Sequence, residues 1–335
     1  MLGKCWAFVV ILCWFGSGAE AAGIQLLDSD PRLSGAIWYP CKAEPQRVAL
    51  GRLTVQFIDS VQGVKDCPLT GEKLPLVIVS HGRGGWFGGH DDVVDALVDA
   101  GFVVAAINHP GDNGSDSSQR DSLTVAASRP ADMVRLLDFM LNEWKDRAII
   151  DPARIGVFGF SLGGYTGLIL AGGNAVFRRI TPFCIESNKT RGCEQIRSGD
   201  IPSDPPHDPR IRAAVIADPA SSFLTRESLA GIEIPLQVWR SELGGGGVDP
   251  GGTARVANSL PGQPEIHIVP AGHYAFLPPC TAQFAANLPR LCVDPPGFDR
   301  TAFHRDFDAS IVRFFREHLS PPPMQAPPSQ SETNH

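Results

Sequence analysis

Short apolar, β-branched runs alternate along this chain with segments that have helical periodicity. The runs predict six strands, at residues 74–79, 102–107, 155–158, 213–217, 236–239 and 266–269. Apolar positions spaced as on one face of a helix predict helices at residues 91–100, 131–144, 162–171, 252–260 and 303–318. This alternation is typical of the α/β class, in which helices cover both faces of a mostly parallel sheet.

The predicted elements belong to one large domain, residues 22–319, because 335 residues with 43% hydrophobic content suit a single extensive core. Before it, Lys4 precedes an apolar run and the small-residue site Ala19-Glu20-Ala21 follows, so residues 1–21 read as a signal peptide. The run is much shorter than the ~20 apolar residues of a spanning helix. Residues 320–335 are rich in Pro, Ser and Gln and predict a disordered tail.

Residues 174–210 are polar and interrupt the alternation of strands and helices. Long connections of this kind often carry function, but many are tolerated surface excursions. The segment is therefore either a cap-like, substrate-facing insertion or a passive one.

Export would place the domain in an oxidising compartment, and we expect a secreted or periplasmic protein. Its six cysteines are even in number, and their spacing suggests the local disulfides Cys41 with Cys67, Cys184 with Cys193, and Cys280 with Cys292. Other pairings and buried free thiols remain open. The absence of any C-x-x-C pair argues against a zinc site built on cysteine. No other segment of the sequence resembles a membrane span, and a formal net charge of −7 argues against a nucleic-acid partner.

The clearest chemical signal is the pentapeptide Gly159-Phe160-Ser161-Leu162-Gly163, which fits G-x-S-x-G between a predicted strand and a predicted helix. The two glycines leave room for a tight turn that raises the Ser161 hydroxyl above the sheet. We predict Ser161 as a nucleophile, with the Leu162 amide as one donor of an oxyanion hole.

A second donor is expected from the glycine-rich stretch that follows the strand at 74–79, Ser80-His81-Gly82-Arg83-Gly84-Gly85, with the Arg83 amide as the candidate. The stretch has neither the Lys-Ser/Thr ending of a P-loop nor the G-x-G-x-x-G pattern. We therefore expect no nucleotide cofactor.

A serine hydroxyl needs a general base, and His273 is the best placed of the nine histidines because it closely follows the last predicted strand. His81 and His109 end earlier strands and could line the cleft. A metal cluster of His81, His90, Asp91 and His109 is the alternative use of these side chains, but it has no recognised ligand spacing.

The chain resembles the predicted dienelactone hydrolase group of exported esterases, which is related to platelet-activating-factor acetylhydrolases. The resemblance covers about residues 30–319 and rests on five motifs in order: Trp38-Tyr39-Pro40-Cys41, Ser80-His81-Gly82, Arg129-Pro130-Ala131-Asp132, Asp151-Pro152-Ala153-Arg154-Ile155-Gly156, and residues 271–280, which include His273. It implies the α/β-hydrolase fold and a cofactor-free ester hydrolase. True dienelactone hydrolases use a cysteine nucleophile, so Ser161 makes the group name a poor guide to substrate.

Three carboxylates lie between Ser161 and His273 and are candidates for the acid of a catalytic triad. Asp218 directly follows the strand at 213–217, where the resemblance to the acetylhydrolases places the acid. Glu242, in the loop after the next strand, is the alternative, and Asp249 comes third. Asp218 could also simply cap the turn before Pro219.

These residues predict a two-step acyl transfer on a small-molecule or lipid ester, without a metal. Aryl esters, lactones and polyesters fit equally well, whereas the resemblance disfavours amides. A non-catalytic binding protein on a hydrolase scaffold is the alternative from another class. Such a protein would normally have lost the serine or the histidine, and both are present here.

Overall fold

The computed structural model describes residues 22–320, which form one ten-stranded sheet flanked by helices. The predicted signal peptide and residues 321–335 of the predicted tail lie outside the described residues. The strands are β1 (Ala22–Leu27), β2 (Gly35–Pro40), β3 (Gln46–Ala49), β4 (Ser60–Lys65), β5 (Leu74–Ser80), β6 (Val103–Ile107), β7 (Ile150–Phe160), β8 (Ile211–Ala217), β9 (Leu236–Ser241) and β10 (Glu265–Val269).

The six strands expected from the sequence form the parallel part of the sheet, in the order β6-β5-β7-β8-β9-β10. The remaining four extend it beyond β6, where β2 pairs antiparallel with β6 and β1 antiparallel with β2. β4 then runs parallel to β1 and antiparallel to β3. In open α/β sheets, ligands bind at the carboxyl ends of the parallel strands. In this sheet those parallel strands are the six that the sequence predicts.

Helices cover both faces of the sheet. They are α1 (Asp91–Asp99), α2 (Leu123–Asn142), α3 (Leu162–Leu170), α4 (Arg191–Ser198), α5 (Arg226–Leu229), α6 (Pro250–Ala257), α7 (Ala282–Asn287) and α8 (Arg300–His318). Strand β8 shows why two cores form: Ala214 and Ile216 pack with α2, α3 and α6, while Val215 and Ala217 face α1 and α8. In the part of the chain that the structure describes, no helix has the length and apolar character needed to cross a membrane.

Helix α2 begins eight residues before the start expected at residue 131, which was a wrong prediction. Ser122 is its N-cap, and the Ser122 hydroxyl accepts a hydrogen bond of 3.1 Å from the Val125 amide. Pro130 lies inside the helix instead of opening it. A proline removes only one backbone donor, and burial of Pro130 and its neighbours Arg129 and Asp132 holds the helix through that position.

Residues 174–210 lie between α3 and β8 and contain a short 3₁₀ helix, Phe177–Phe183, followed by α4. The Gly192 amide donates to the Asp121 carbonyl at 2.9 Å, and the Gln195 side chain accepts from the Leu123 amide at 2.7 Å. This segment is therefore fastened to the chain that leads into α2.

Three disulfides join the pairs expected from the sequence: Cys41–Cys67, Cys184–Cys193 and Cys280–Cys292. The first connects the chain just after β2 to the chain just after β4, the second joins the end of the 3₁₀ helix to the first turn of α4, and the third encloses α7. Disulfides in this number fit an extracellular or periplasmic compartment.

A sharp turn joins β7 to α3, and Ser161 occupies it with φ 58° and ψ −117°. Two glycines make the turn possible. A Cβ on Gly159 would lie 2.1 Å from the Gly163 carbonyl oxygen, and a Cβ on Gly163 would lie 1.8 Å from the Ser80 carbonyl oxygen. Because only hydrogen fits at these places, the turn packs directly against the end of β5.

We expect Gly163→Ala to lower the free energy of unfolding by ~3 kcal/mol, at the upper end of the usual cost of overpacking. Gly251→Ala is the matched control, because a Cβ there would meet no backbone atom at close range, only the side-chain ends of Arg255 and Asp249, each at 3.3 Å. That control sits in the first turn of α6 and should not lose stability. Chemical denaturation measures the free energy of unfolding of both variants. Equal stability of the two variants would contradict the close approach of the turn to Ser80.

Removing a disulfide should destabilise the fold according to the length of chain that it closes. The Cys41–Cys67 bond spans 26 residues and Cys184–Cys193 spans 9. Replacing both cysteines of a pair by alanine should cost about 3.5 kcal/mol for the first pair and about 2.5 kcal/mol for the second. Denaturant titration of the double variants gives these values. Thiol groups of these cysteines that react in the unreduced, denatured protein would contradict the pairing.

Candidate active site

The structure brings Ser161, His273 and Asp218 together at the carboxyl edge of the sheet. Nε2 of His273 lies 3.0 Å from the Ser161 hydroxyl oxygen, and Nδ1 of His273 lies 2.6 Å from Oδ2 of Asp218. Ser161 follows β7, Asp218 follows β8 and His273 follows β10. All three are buried, with 8%, 3% and 0% exposure for Ser161, His273 and Asp218. A carboxylate acceptor at Nδ1 leaves Nε2 free to accept the hydroxyl proton.

Asp218 makes further hydrogen bonds besides the one to His273. The backbone N–H of Ser241 donates to its Oδ1 at 2.9 Å, and the Ser241 hydroxyl donates to its Oδ2 at 2.8 Å. The Asp218 amide donates to the Trp239 carbonyl at 2.7 Å, and the backbone of Asp218 has φ 43°, a left-handed conformation that its surroundings must enforce. Ser241 is the last residue of β9 and was missed in the sequence. Its place just after the predicted strand at 236–239, beside the strand that precedes Asp218, was a usable signal.

The other two candidate acids lie elsewhere. Glu242 is exposed, and its amide donates to the Val269 carbonyl at 2.9 Å. Asp249 is the N-cap of α6 and pairs with Arg255 at 3.3 Å. Within residues 22–320, neither carboxylate contacts His273, so the geometry favours Asp218 of the three.

The imidazole of His273 is fixed on both sides. Its ring stacks on Phe160 with a centroid distance of 4.7 Å and an interplanar angle of 22°. Its amide donates to the Gly244 carbonyl at 2.7 Å, and a Cβ on Gly246 would lie 2.9 Å from the His273 ring. Gly246 of the four-glycine tract therefore lies against the His273 ring, and no side chain would fit at that position.

The two predicted oxyanion donors belong to the two segments that meet at Ser161. Leu162 is the first residue of α3, so its N–H has no acceptor within the helix. The loop after β5 reaches the serine from the other side, since a Cβ on Gly82 would lie 3.2 Å from the Ser161 Cβ. Arg83 follows Gly82, and the Arg83 side chain pairs with Asp121 at 2.7 Å.

A buried ion pair holds the backbone of the loop that follows β5. Arg129, from α2, and Asp112 are both fully buried, and their side chains meet at 2.7 Å. The same guanidinium donates to the His81 carbonyl, while Oδ1 of Asp112 accepts from the Gly84 amide at 3.0 Å. Burial lowers the pKa of Arg129 to about 10, which leaves it charged near neutral pH. The pair therefore holds the backbone on both sides of Gly82.

His81 and His109 belong to the same buried network and do not line a cleft. Nδ1 of His109 lies 3.0 Å from Asp132, and Nε2 of His109 lies 2.9 Å from the Ser80 hydroxyl. Burial, and then the nearby Arg129 charge, hold the pKa of both histidines well below the usual value. Two neutral rings can each donate at one nitrogen and accept at the other.

The alternative metal cluster of His81, His90, Asp91 and His109 is not assembled among the described residues. His81 and His109 make the hydrogen bonds just described, and the His90 ring packs edge-on against Phe158 and Phe160 at 5.2 Å.

Comparison with known proteins gives two local similarities and one global similarity. Residues 90–182, which include the Ser161 turn, match the prolyl oligopeptidase family. The chain is also 28% identical over 131 residues to the lasso peptide isopeptidase AtxE2 of Asticcacaulis excentricus, a match that covers 34% of this chain and 19% of that protein. The chain thus spans about a fifth of that relative's length.

Among solved structures, the ferulic acid esterase from Streptomyces cinnamoneus superposes with a TM-score of 0.60 at 20% identity, covering 92% of this chain and 93% of that one. Together with the sheet order and the turn at Ser161, these similarities support the α/β-hydrolase superfamily. The chain has the α/β-hydrolase fold.

Proposed function

We propose that the protein is a serine hydrolase that cleaves carboxylic esters, with Ser161 as nucleophile, His273 as general base and Asp218 as the acid of the triad. The observation that carries the proposal is the unbroken hydrogen-bonded chain from the Ser161 hydroxyl through His273 to Asp218. A binding protein on the same scaffold would have no need to keep all three groups in register.

In the proposed reaction, the Ser161 oxygen attacks the ester carbonyl while its proton passes to Nε2 of His273. The Leu162 and Arg83 amides stabilise the oxyanion of the tetrahedral intermediate. Its collapse breaks the carbon–oxygen bond, and the alcohol leaves with the proton from His273. Water, deprotonated by the same histidine, then attacks the acyl-enzyme and releases the acid and free Ser161. Asp218 stays ionised and stabilises the charged imidazole.

Peptide or isopeptide hydrolysis is the second candidate. It is favoured by the local match to the prolyl oligopeptidase family and by the isopeptidase relative. Ester hydrolysis is favoured by the likeness to a ferulic acid esterase, which extends over nearly the whole of both chains. The proposal gives more weight to the global likeness, because the family match covers only residues 90–182 and the isopeptidase match covers only 34% of this chain.

We also propose that the chain is exported to the periplasm or the medium and that residues 1–21 are then removed. The three disulfides support this location, since such bonds persist in oxidising compartments. The intact mass of the protein recovered from outside the cytoplasm tests it. Recovery of only the full-length, reduced chain would refute it.

Removing the proposed triad acid Asp218 should lower the activity far more than removing the alternative acid Glu242. We expect Asp218→Asn to lower kcat by about 10⁴-fold, as a histidine held in the wrong tautomer loses its function as a base. Glu242→Gln is the matched control and should keep near-wild-type kcat. The measurement is kcat/KM on a p-nitrophenyl ester and on the p-nitroanilide of the same short acyl group.

Wild-type protein should hydrolyse the ester much faster than the anilide. If the anilide were the better substrate, the peptidase alternative would replace the esterase. If Glu242→Gln lost activity while Asp218→Asn kept it, the acid would have to be reassigned to Glu242.

A further inference from the structure

Three side chains that can bind a metal converge between α1 and α8, away from the Ser161 site. Asp92 comes from the first turn of α1, and His304 and Asp308 lie on one face of α8, one turn apart. One ligand atom of each residue lies within 4.8 Å of the other two. Among residues 22–320, these three form the group whose ligand atoms are close enough to share an ion.

His304 presents its Nδ1 atom to the two carboxylates. Its side chain is 4% exposed, and its Nε2 lies 2.8 Å from the Ala275 carbonyl oxygen. A carbonyl can only accept, so Nε2 carries a hydrogen and the Nδ1 of the neutral ring carries a lone pair. A histidine that donates one N–H to a backbone carbonyl and turns its other nitrogen to an ion is the usual arrangement in metal sites.

The atoms that face one another here lack hydrogen-bond partners. Nδ1 of His304 and Oδ2 of Asp92 are in contact, but neither atom has a partner with hydrogen-bond geometry in the described chain, and Oδ1 of Asp308 is likewise buried without one. Buried polar atoms are normally satisfied, so three converging acceptors call for a cation.

A proton on Nδ1 is one possible cation. Such a proton would pair with Oδ2 of Asp92, which Nδ1 of His304 already contacts. One proton nevertheless leaves the second carboxylate uncompensated. A divalent ion would balance both carboxylates at once.

We propose that Asp92, His304 and Asp308 bind a zinc-like divalent transition-metal ion. One imidazole nitrogen and two carboxylate oxygens, completed by water, make a tetrahedral set for Zn²⁺. Ca²⁺ prefers six to eight oxygen ligands and is a poorer fit. The Asp92 side chain is 20% exposed, which leaves a path for the ion to enter.

Such an ion would join three parts of the fold. It connects the start of α1 to α8, and through the bond from His304 to Ala275 it also reaches the 3₁₀ turn His273–Phe276. The ion would therefore have a structural role, and the inference does not depend on the proposed hydrolase activity.

The test uses the full chain, stripped of metal with a chelator and then titrated with ZnCl₂. We expect one zinc per chain by elemental analysis after dialysis. At a hundredfold excess of zinc over its Kd, the Tm should rise by about 5 °C. Asp308→Asn, which keeps the shape of the side chain, should weaken zinc binding by ~100-fold. Asp306→Asn changes an exposed carboxylate on the same helix and should leave zinc binding unchanged.

A second readout guards against misfolding of the Asp308 variant. Co²⁺ in place of zinc should give visible absorption bands typical of nitrogen and oxygen ligands, and Asp92→Asn should also remove them. The proposal is overturned if the wild-type protein binds no zinc and its Tm does not move. It is equally overturned if zinc binds with the same affinity to Asp308→Asn and Asp92→Asn, because the ion would then be bound outside this cluster.

Discussion

The approach of the β7–α3 turn to the end of β5 is the contact on which the rest of the site depends. Backbone meets backbone there without a side chain between, since a Cβ on Gly163 would overlap the Ser80 carbonyl oxygen. The contact brings the loop that contains Gly82 alongside Ser161. An α/β sheet offers this closeness only where two adjacent parallel strands end at the same level, as β5 and β7 do.

The loop at that contact is held by the buried ion pair of Arg129 and Asp112, which the solvent does not reach. A buried ion pair such as Arg129 with Asp112 gains little net stability over an apolar pair, because desolvation offsets the attraction. Here the pair positions the backbone of the loop. Arg129 donates to the His81 carbonyl and Asp112 accepts from the Gly84 amide, on either side of Gly82. The two neutral histidines extend the network to Ser80 and α2. These bonds hold the loop in place in the absence of a substrate, as the proposed oxyanion hole would require.

The sequence predicted those parts of the fold whose signal is local. Six parallel strands were visible as apolar runs, and the turn at Ser161 was visible as five consecutive residues. The four strands before β5 were not predicted, because polar or glycine positions interrupt their apolar runs, such as Gly63 of β4 and the exposed Gln46 and Arg47 of β3. Pro130 misplaced the start of α2, because a proline is more common in the first turn of a helix than at its eighth position.

What the sequence could not predict are contacts between residues far apart in the chain. Ser241 supports Asp218 only because β8 and β9 are neighbours, and Asp92 meets His304 only because α1 packs on α8. Neither pairing has a spacing that a motif can express. The choice of Asp218 over Glu242 depended on the resemblance to acetylhydrolases, and the geometry around His273 now favours the same residue.

The central claim is that Ser161 is a nucleophile activated by His273, and covalent labelling tests it most directly. The protein would be treated with a fluorophosphonate, digested, and analysed by mass spectrometry, alongside His273→Gln. The account predicts one phosphonyl group per chain, located on Ser161, and labelling that is slower by orders of magnitude in His273→Gln. A wild-type chain that carries no adduct on Ser161, or that labels equally fast without His273, would contradict it.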